Sequence, residues 1–323
     1  MDVWNEHDFI YHYTTLSGLK GILESQTLHA THYAFLNDSN EIHQISPRLQ
    51  ETILSITTKL YTDAADANQQ AKREMEAEGG IPFLAAKDAS SMVDGIYRVT
   101  LGLGGGTRFF QPFVVSFCGH REPYERQHGL LSQWRAYGRE SGYAIVFETK
   151  VLAAMLKNEI ARCRLDSSAM SSVVYDTGED VFKQEFKDLI EALEEDIPRL
   201  LRSEDGPYTS LNNTFMRDIP RYKHQGFIEE QEVRIVVSPT HDELYEKARA
   251  AGEIDEREEK GIRFRDALTP YVVLFDVPEP KLPIKNIIVG PHADKERRLE
   301  KLKNYLDMKG LNIEATCSET PLV

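Results

Sequence analysis

Strand-like apolar runs stand near both ends of this chain with helical insertions between them, and this pattern limits the fold more than any other feature. Phe9–Thr14 and Thr27–Thr31 lie near the start; Tyr271–Val277, Ile284–Val289 and Leu311–Thr316 lie near the finish. All are short and carry β-branched or aromatic residues. Between them, Asp180–Arg202 places Phe182, Phe186, Leu189, Leu193, Ile197 and Leu200 three or four residues apart. That spacing predicts an amphipathic helix, kinked near its end by Pro198. A length of 323 residues is roughly two domains at about 150 residues each. Strands at both ends instead predict one elaborated α+β domain over 1–323, with helical insertions at about 61–108 and 176–222.

Other segments fill in this outline. Thr15 or Ser17 caps a helix whose Leu16, Leu19, Ile22 and Leu23 share a face. Asp38 three residues before Glu41 is a capping-box spacing, which predicts a helix from Ser39 to about Thr62. Ala64–Glu78 is polar and reads as helical or flexible. Gln111–Cys118 and Gly142–Glu148 read as strands, and Gln133–Tyr137 as a helical turn. Glu232–Ser238 alternates like a half-buried strand. His241–Lys260 is highly charged and reads as a solvated helix or an excursion, and Asp294–Met308 as a helix.

Composition removes several classes. Thirty-eight Lys and Arg against 52 Asp and Glu leave a net charge of −14, which disfavours sequence-independent wrapping of nucleic acid. No apolar run approaches the roughly 18 residues of a membrane helix. The start, Met1-Asp2-Val3-Trp4-Asn5-Glu6, lacks the apolar stretch of a secretory signal. Cys118, Cys163 and Cys317 are too few and too scattered for a disulfide scaffold or a zinc site. The expectation is a cytoplasmic protein with no membrane partner and no metal.

Familiar catalytic motifs are missing. Gly102–Gly106 lacks the Lys-Ser/Thr of a P-loop, and Thr107 breaks Gly-x-Gly-x-x-Gly, so it reads as a flexible loop. In Gly138–Gly142 the serine is one place late for a nucleophile elbow. His29-Ala30-Thr31-His32 has no carboxylate at zincin spacing.

Three short segments remain: Tyr11-His12-Tyr13-Thr14, a strand entering a helix; Ser141-Gly142-Tyr143-Ala144-Ile145, a strand opened by glycine; and Glu229-Glu230-Gln231-Glu232-Val233-Arg234, carboxylates at a strand entry. Each has a bland explanation: a hydrogen-bonded core histidine, a sheet-filling tyrosine, a solvated turn. Together, in this order, they resemble the catalytic segments of the ADP-ribosyltransferase superfamily, of the His-Tyr-Glu type. A closer resemblance covers nearly the whole chain. Tyr11–Thr14 with Gly18-Leu19 and Gly21-Ile22-Leu23, Phe35–Asp38 with Glu41, Val115–Cys118, Leu131–Gly138, Glu232–Ile235, Ile287–Pro291 and Ser318–Pro321 are similar to a bacterial family of unknown function, number 2971.

The superfamily resemblance implies a split β-sheet core with helical insertions, and NAD as substrate. Breaking the nicotinamide–ribose bond develops cationic character on the ribose, so the site must grip the sugar and place negative charge beside it. By that likeness His12 holds the adenosine-side ribose, steadied by Thr14, and the Tyr13 backbone meets the nicotinamide amide. Tyr143 stacks on the nicotinamide ring, with Tyr137 or Ser116 as alternatives for that place. Glu232 stabilises the cation, and Glu230 serves the acceptor. Trp134 and Arg135 form a lid or an acceptor platform, or Trp134 is a core anchor. Arg221 and Lys223, in a basic run with Arg217 and His224, meet the diphosphate or the acceptor, or balance nearby acids. The implied activity is transfer of ADP-ribose to RNA, DNA or protein, as in a bacterial toxin or phage-defence effector with an antitoxin partner. Two other expectations stand beside it: a binding module that has lost catalysis, and an NAD glycohydrolase.

Overall fold

The computed structural model describes residues 2–36, 41–100, 112–137, 142–175, 178–204, 209–240, 242–252 and 256–321. The chain begins with helix α1 (Val3–Glu6), strand β1 (Phe9–Thr14), helix α2 (Leu16–Ser25) and strand β2 (Leu28–His32). Next come α3 (Ser46–Ala67), α4 (Gln69–Ala77), α5 (Ile81–Thr100), β3 (Phe113–Cys118), α6 (Pro123–His128), α7 (Leu131–Tyr137) and β4 (Tyr143–Glu148). The middle holds α8 (Thr149–Arg162), β5 (Leu165–Ser172), β6 (Val174–Tyr175), α9 (Glu179–Glu185), α10 (Lys187–Leu201), α11 (Thr209–Asp218) and β7 (Tyr222–Lys223). Last are β8 (Glu232–Pro239), α12 (Asp242–Ala250), β9 (Ile262–Arg265), β10 (Thr269–Leu274), β11 (Ile284–Val289), α13 (Lys295–Met308) and β12 (Glu314–Cys317).

Among the described residues, ten strands make one mixed sheet, so the fold is α+β. Its path runs β12-β11-β4-β1-β3-β2-β10-β9, with β8 against β3 and β5 against β8. The pairing of β3 decides its shape. β8 lies along all of β3, from Phe113↔Val237 to Cys118↔Glu232. A strand has only two edges, so β1 and β2 must share the other. β2 meets it at Phe113 and Val114, whereas β1 touches it at Cys118 alone. The sheet therefore forks at β3.

Side chains alternate between the two faces. One face carries Ile10, Phe117, Tyr143, Ile145, Val233 and Ile235 into a core closed by Leu19 of α2, Leu152 and Leu156 of α8, and Leu302 and Leu306 of α13. The other carries Tyr11, Tyr13, Cys118, Ala144 and Val146 beneath Trp134 of α7. Helices α3, α5, α9, α10 and α11 pack on one another through Leu49, Ile53, Val93, Phe186, Leu193 and Phe215. They fall within or beside the two stretches read as insertions, and α11 leans on β5 and β8. Burying a side chain such as Phe186 or Phe215 contributes about 1.5–3 kcal/mol, which lets this layer hold its own core.

Several boundaries differ from the sequence reading. The expected cap at residues 37–40 lies outside the described residues, as does the Gly102–Gly106 loop. The helix starts at Ser46, with Pro47 in its first turn. The expected Asp180–Arg202 helix is two helices. Phe186 leaves helical geometry (φ −111°, ψ 26°) while its ring stays fully buried, 4.9 Å from Phe182. Glu232–Ser238 is a strand buried on both faces, with α11 packed against it.

Candidate functional site

Glu232 opens β8 directly after Gln231, whose left-handed backbone (φ 44°) turns the chain into the strand. Its N–H donates to the Tyr175 hydroxyl at 2.8 Å, and its carbonyl accepts from Val173 N–H at 2.8 Å. The side chain is buried among charges. Arg234 grips the carboxylate with two nitrogens, Nε at 2.6 Å and Nη2 at 2.8 Å. Lys223 Nζ adds a contact at 2.9 Å and reaches Glu230 at 2.7 Å. Burial alone would raise the Glu232 pKa. Arg234 and Lys223 outweigh it, with help from Arg234 hydrogen bonding and the Ser116 hydroxyl, and hold the pKa at about 2. Glu232 is thus a fixed anion at neutral pH rather than a proton acceptor.

Glu232 pairs across β3 with Cys118, which pairs across β1 with Tyr11, so all three share a face. Ser116, paired with Arg234, lies on that face too and is the one half-buried residue of β3. Tyr137, at the end of α7, is 39% exposed. Its phenol pKa is raised first by loss of solvent and then by the charges of Cys118, Glu232 and Glu230, which places it beside the carboxylates. Burial, with Glu232 and Glu230, also pushes the Cys118 thiol well up, so it is no nucleophile. Tyr13 stands on the same face. Its hydroxyl accepts from Leu130 N–H at 2.7 Å and meets His120 Nε2 at 2.8 Å.

His12 and Tyr143 do not join this group. His12 alternates with Tyr11 and Tyr13, pairs with Ile145 and lies 5.7 Å from Phe117, which puts it on the opposite face. Its Nδ1 lies 3.0 Å from the Ser116 carbonyl, which can only accept, so Nδ1 carries the proton. That carbonyl, not Thr14, steadies the ring. Thr14 packs against α2, where a Cβ on Gly18 would come within 2.1 Å of its hydroxyl oxygen. Burial lowers the His12 pKa and keeps the ring neutral. Tyr143 is a core residue on the same face as His12. β4 stands three strand spacings from β8, about 14 Å. The expected convergence of His12, Tyr143 and Glu232 is therefore corrected: Tyr-His-Tyr on a strand sends the histidine away from its neighbours' face.

The second cluster is also revised. Trp134 is 3% exposed; its Nε1 donates to the His128 carbonyl at 2.9 Å, and its edge meets Tyr13 at 4.8 Å. It anchors α7 and offers no face to a ligand. Arg135 is exposed beside it. The basic run does not form a free cationic surface. Arg221 pairs with Asp218 at 3.0 Å and Glu185 at 3.3 Å, Arg217 with Asp218 at 2.7 Å, and Lys223 with both site carboxylates.

Sequence reasoning missed Arg234, Tyr175 and His120. Arg234 was within reach, because residues two apart on a strand share a face and Glu-Val-Arg is visible in the chain. Tyr175 and His120 reach the site only through tertiary packing. An open groove between α3 and α9–α10, lined by Arg48, Glu51, Lys183 and Lys187 among others, shares no residue with this cluster. No group of three His, Cys, Asp or Glu side chains able to hold a metal occurs among the described residues. No helix among them is long and apolar enough to cross a membrane.

A family model described as a protein of unknown function (DUF2971) matches residues 133–235. The matched stretch runs from α7 into β8 and contains Tyr137, Lys223, Glu230, Glu232 and Arg234; His12 and Ser116 lie outside it. No curated protein and no solved structure matches the chain.

Proposed function

We propose that the chain is an NAD-dependent ADP-ribosyltransferase acting on a macromolecule, with Glu232 as the catalytic carboxylate. The observation that carries this reading is a permanently ionised carboxylate beside the half-buried Ser116 and the partly exposed Tyr137 and Glu230. Negative charge fixed in a dry setting stabilises a developing ribosyl cation more than the same charge in water. Glu230, beside it, is the group for orienting the acceptor. The fork at β3 supports the reading as well. From His12 to Thr14 the β3-side edge of β1 has no strand partner among the described residues, so its backbone is available to an amide such as nicotinamide. In this reading Tyr137 takes the stacking place, since Tyr143 faces the other way.

One observation favours a second reading. Arg234 and Lys223 already occupy both oxygens of Glu232, as they would in a module that binds a nucleotide without cleaving it. Incubation with adenylate-labelled NAD separates the two. A transferase releases nicotinamide and moves label into nucleic acid or protein. Nicotinamide without labelled macromolecule indicates a glycohydrolase. Saturable NAD binding without nicotinamide indicates the module.

A further inference from the structure

A second feature lies on the same face of the sheet, beyond the fork. Register pairs carry one row across five strands: Val236 on β8, Val114 on β3, Thr31 on β2, Tyr271 on β10 and Arg263 on β9. Partners in a row share a face, so Tyr271 and Arg263 look out on the side that holds Glu232. Two residues along their strands, His29 and Arg265 do the same. His29 stacks on Tyr271 with centroids 4.3 Å apart and planes 26° from parallel. His29, Arg263 and Arg265 are exposed and Tyr271 is half-buried. Arg263 and Arg265 alternate with Ile262 and Phe264, so both guanidiniums leave on one side of the hairpin. Neither arginine has a carboxylate partner among the described residues, unlike Arg217, Arg221 and Lys223, which are paired with acids, and the chain carries a net charge of −14.

We infer that this patch binds single-stranded nucleic acid and presents it to Glu232. The stacked imidazole–phenol pair gives a flat platform for a base, and the two guanidiniums meet flanking phosphates, a combination that suits an unpaired strand better than an acidic peptide. Arg263 stands four strand spacings from β8, about 19 Å, and its row meets β8 at Val236, four residues or about 13 Å along the strand from Glu232. The resulting separation of about 23 Å is one that several nucleotides span. The inference deepens the transferase reading by naming its acceptor, and it rests on that reading only for what happens to the strand once bound.

The test is fluorescence anisotropy of labelled single-stranded RNA and DNA 20-mers titrated with the full chain in the absence of NAD. Both arms report the patch, and their ratio tells which sugar it prefers. Saturable binding is expected. Arg263→Gln with Arg265→Gln should weaken it on the order of tenfold and reduce the slope of log K against log salt by about 1.4, two phosphates at about 0.7 each. Tyr271→Leu should also cost on the order of tenfold through lost stacking. Arg263→Lys with Arg265→Lys should keep the salt slope, which guards against a misfolded Gln variant. Binding that ignores these substitutions in variants with unchanged melting overturns the inference. So does an absence of saturable binding, or label from NAD entering only protein. Because the binding titration omits NAD, failure of the transferase reading shows separately, in the incubation with labelled NAD, as no nicotinamide release by a chain that still binds the strand.

Discussion

Two buried glutamates, Glu159 and Glu232, are built from similar parts and serve different ends. Glu159 on α8 accepts from Lys260 at 2.6 Å, from Arg162 at 3.0 Å and from the Phe275 backbone N–H at 3.1 Å. Lys260 also donates to the Val273 carbonyl at 2.9 Å and pairs with Asp276. The Lys260 and Phe275 contacts tie the end of α8 to the chain leaving β10, where Phe275 sits at φ 64°. Phe275 is a large residue in the left-handed region, which costs about 1–2 kcal/mol. The cluster offsets that strain as a staple. Glu232 also sits between two cations, yet the residues around it are Ser116, Tyr137 and Glu230, all partly open. Buried pairing alone does not mark a site, and neither does exposure, since Arg162 and Asp276 are also partly open. The clusters differ in that a hydroxyl, a phenol and a second carboxylate stand beside Glu232, whereas Glu159 itself meets two cations and a backbone N–H.

That contrast can be broken in order of effect. Glu159→Ala leaves Lys260 buried with only Asp276 for charge and strands the Phe275 N–H, so a loss of about 3–5 kcal/mol is expected in denaturant unfolding. Glu232→Gln keeps the shape but removes the fixed charge, and nicotinamide release should fall by about 100-fold or more. A smaller stability loss than Glu159→Ala would confirm that the two clusters differ in role.

Acid should affect the two faces of the sheet together. Burial pushes His120 from 6.5 down to about 3 and lowers His7 and His12 as well. A histidine whose folded pKa is depressed stabilises the fold fully above its unfolded pKa and loses that contribution as pH falls. His120 alone should cost about 2 kcal/mol between pH 7 and pH 5. Glu232, depressed from 4.5 to about 2, adds its loss only below pH 4.5. Unfolding midpoints should therefore fall from pH 7 to 5 and more steeply from pH 5 to 4, where the Glu232 loss joins the continuing His120 loss. A flat profile down to pH 5 would contradict burial of the neutral imidazoles. The smallest effect belongs to Tyr143→Phe. Because Tyr143 is sheet core, nicotinamide release should change by less than about twofold, as expected of a substitution that removes only a hydroxyl remote from the carboxylate.

The fold was largely legible where one residue type dominates a short run. Ile284–Val289 is strand β11 to the residue, and Gly142–Glu148 differs from β4 only at its first position. Strand β5 was hidden because Leu165–Ser172 is rich in serine and interrupted at Ser167, whose φ of 48° shifts the register against β8. Strand β9, just past the charged His241–Lys260 stretch, carries charged and apolar residues in alternation but is exposed throughout, so no buried face marks it. For the site, Glu230 and Glu232 stood out as carboxylates at a strand entry. Which of three consecutive residues, Tyr11, His12 or Tyr13, shares their face depends on the register Tyr11↔Cys118↔Glu232, which only the sheet reveals. The same limit concealed the Arg263–Tyr271–His29 patch, assembled from three strands.

The most direct measurement of the central claim, that chemistry belongs to the Glu232 face, is nicotinamide release from NAD by the wild-type chain, Glu232→Gln and Tyr143→Phe under one set of conditions. The expected result is release by the wild type and by Tyr143→Phe at similar rates and none above background by Glu232→Gln. Undiminished release by Glu232→Gln, or its loss in Tyr143→Phe alone, would contradict it.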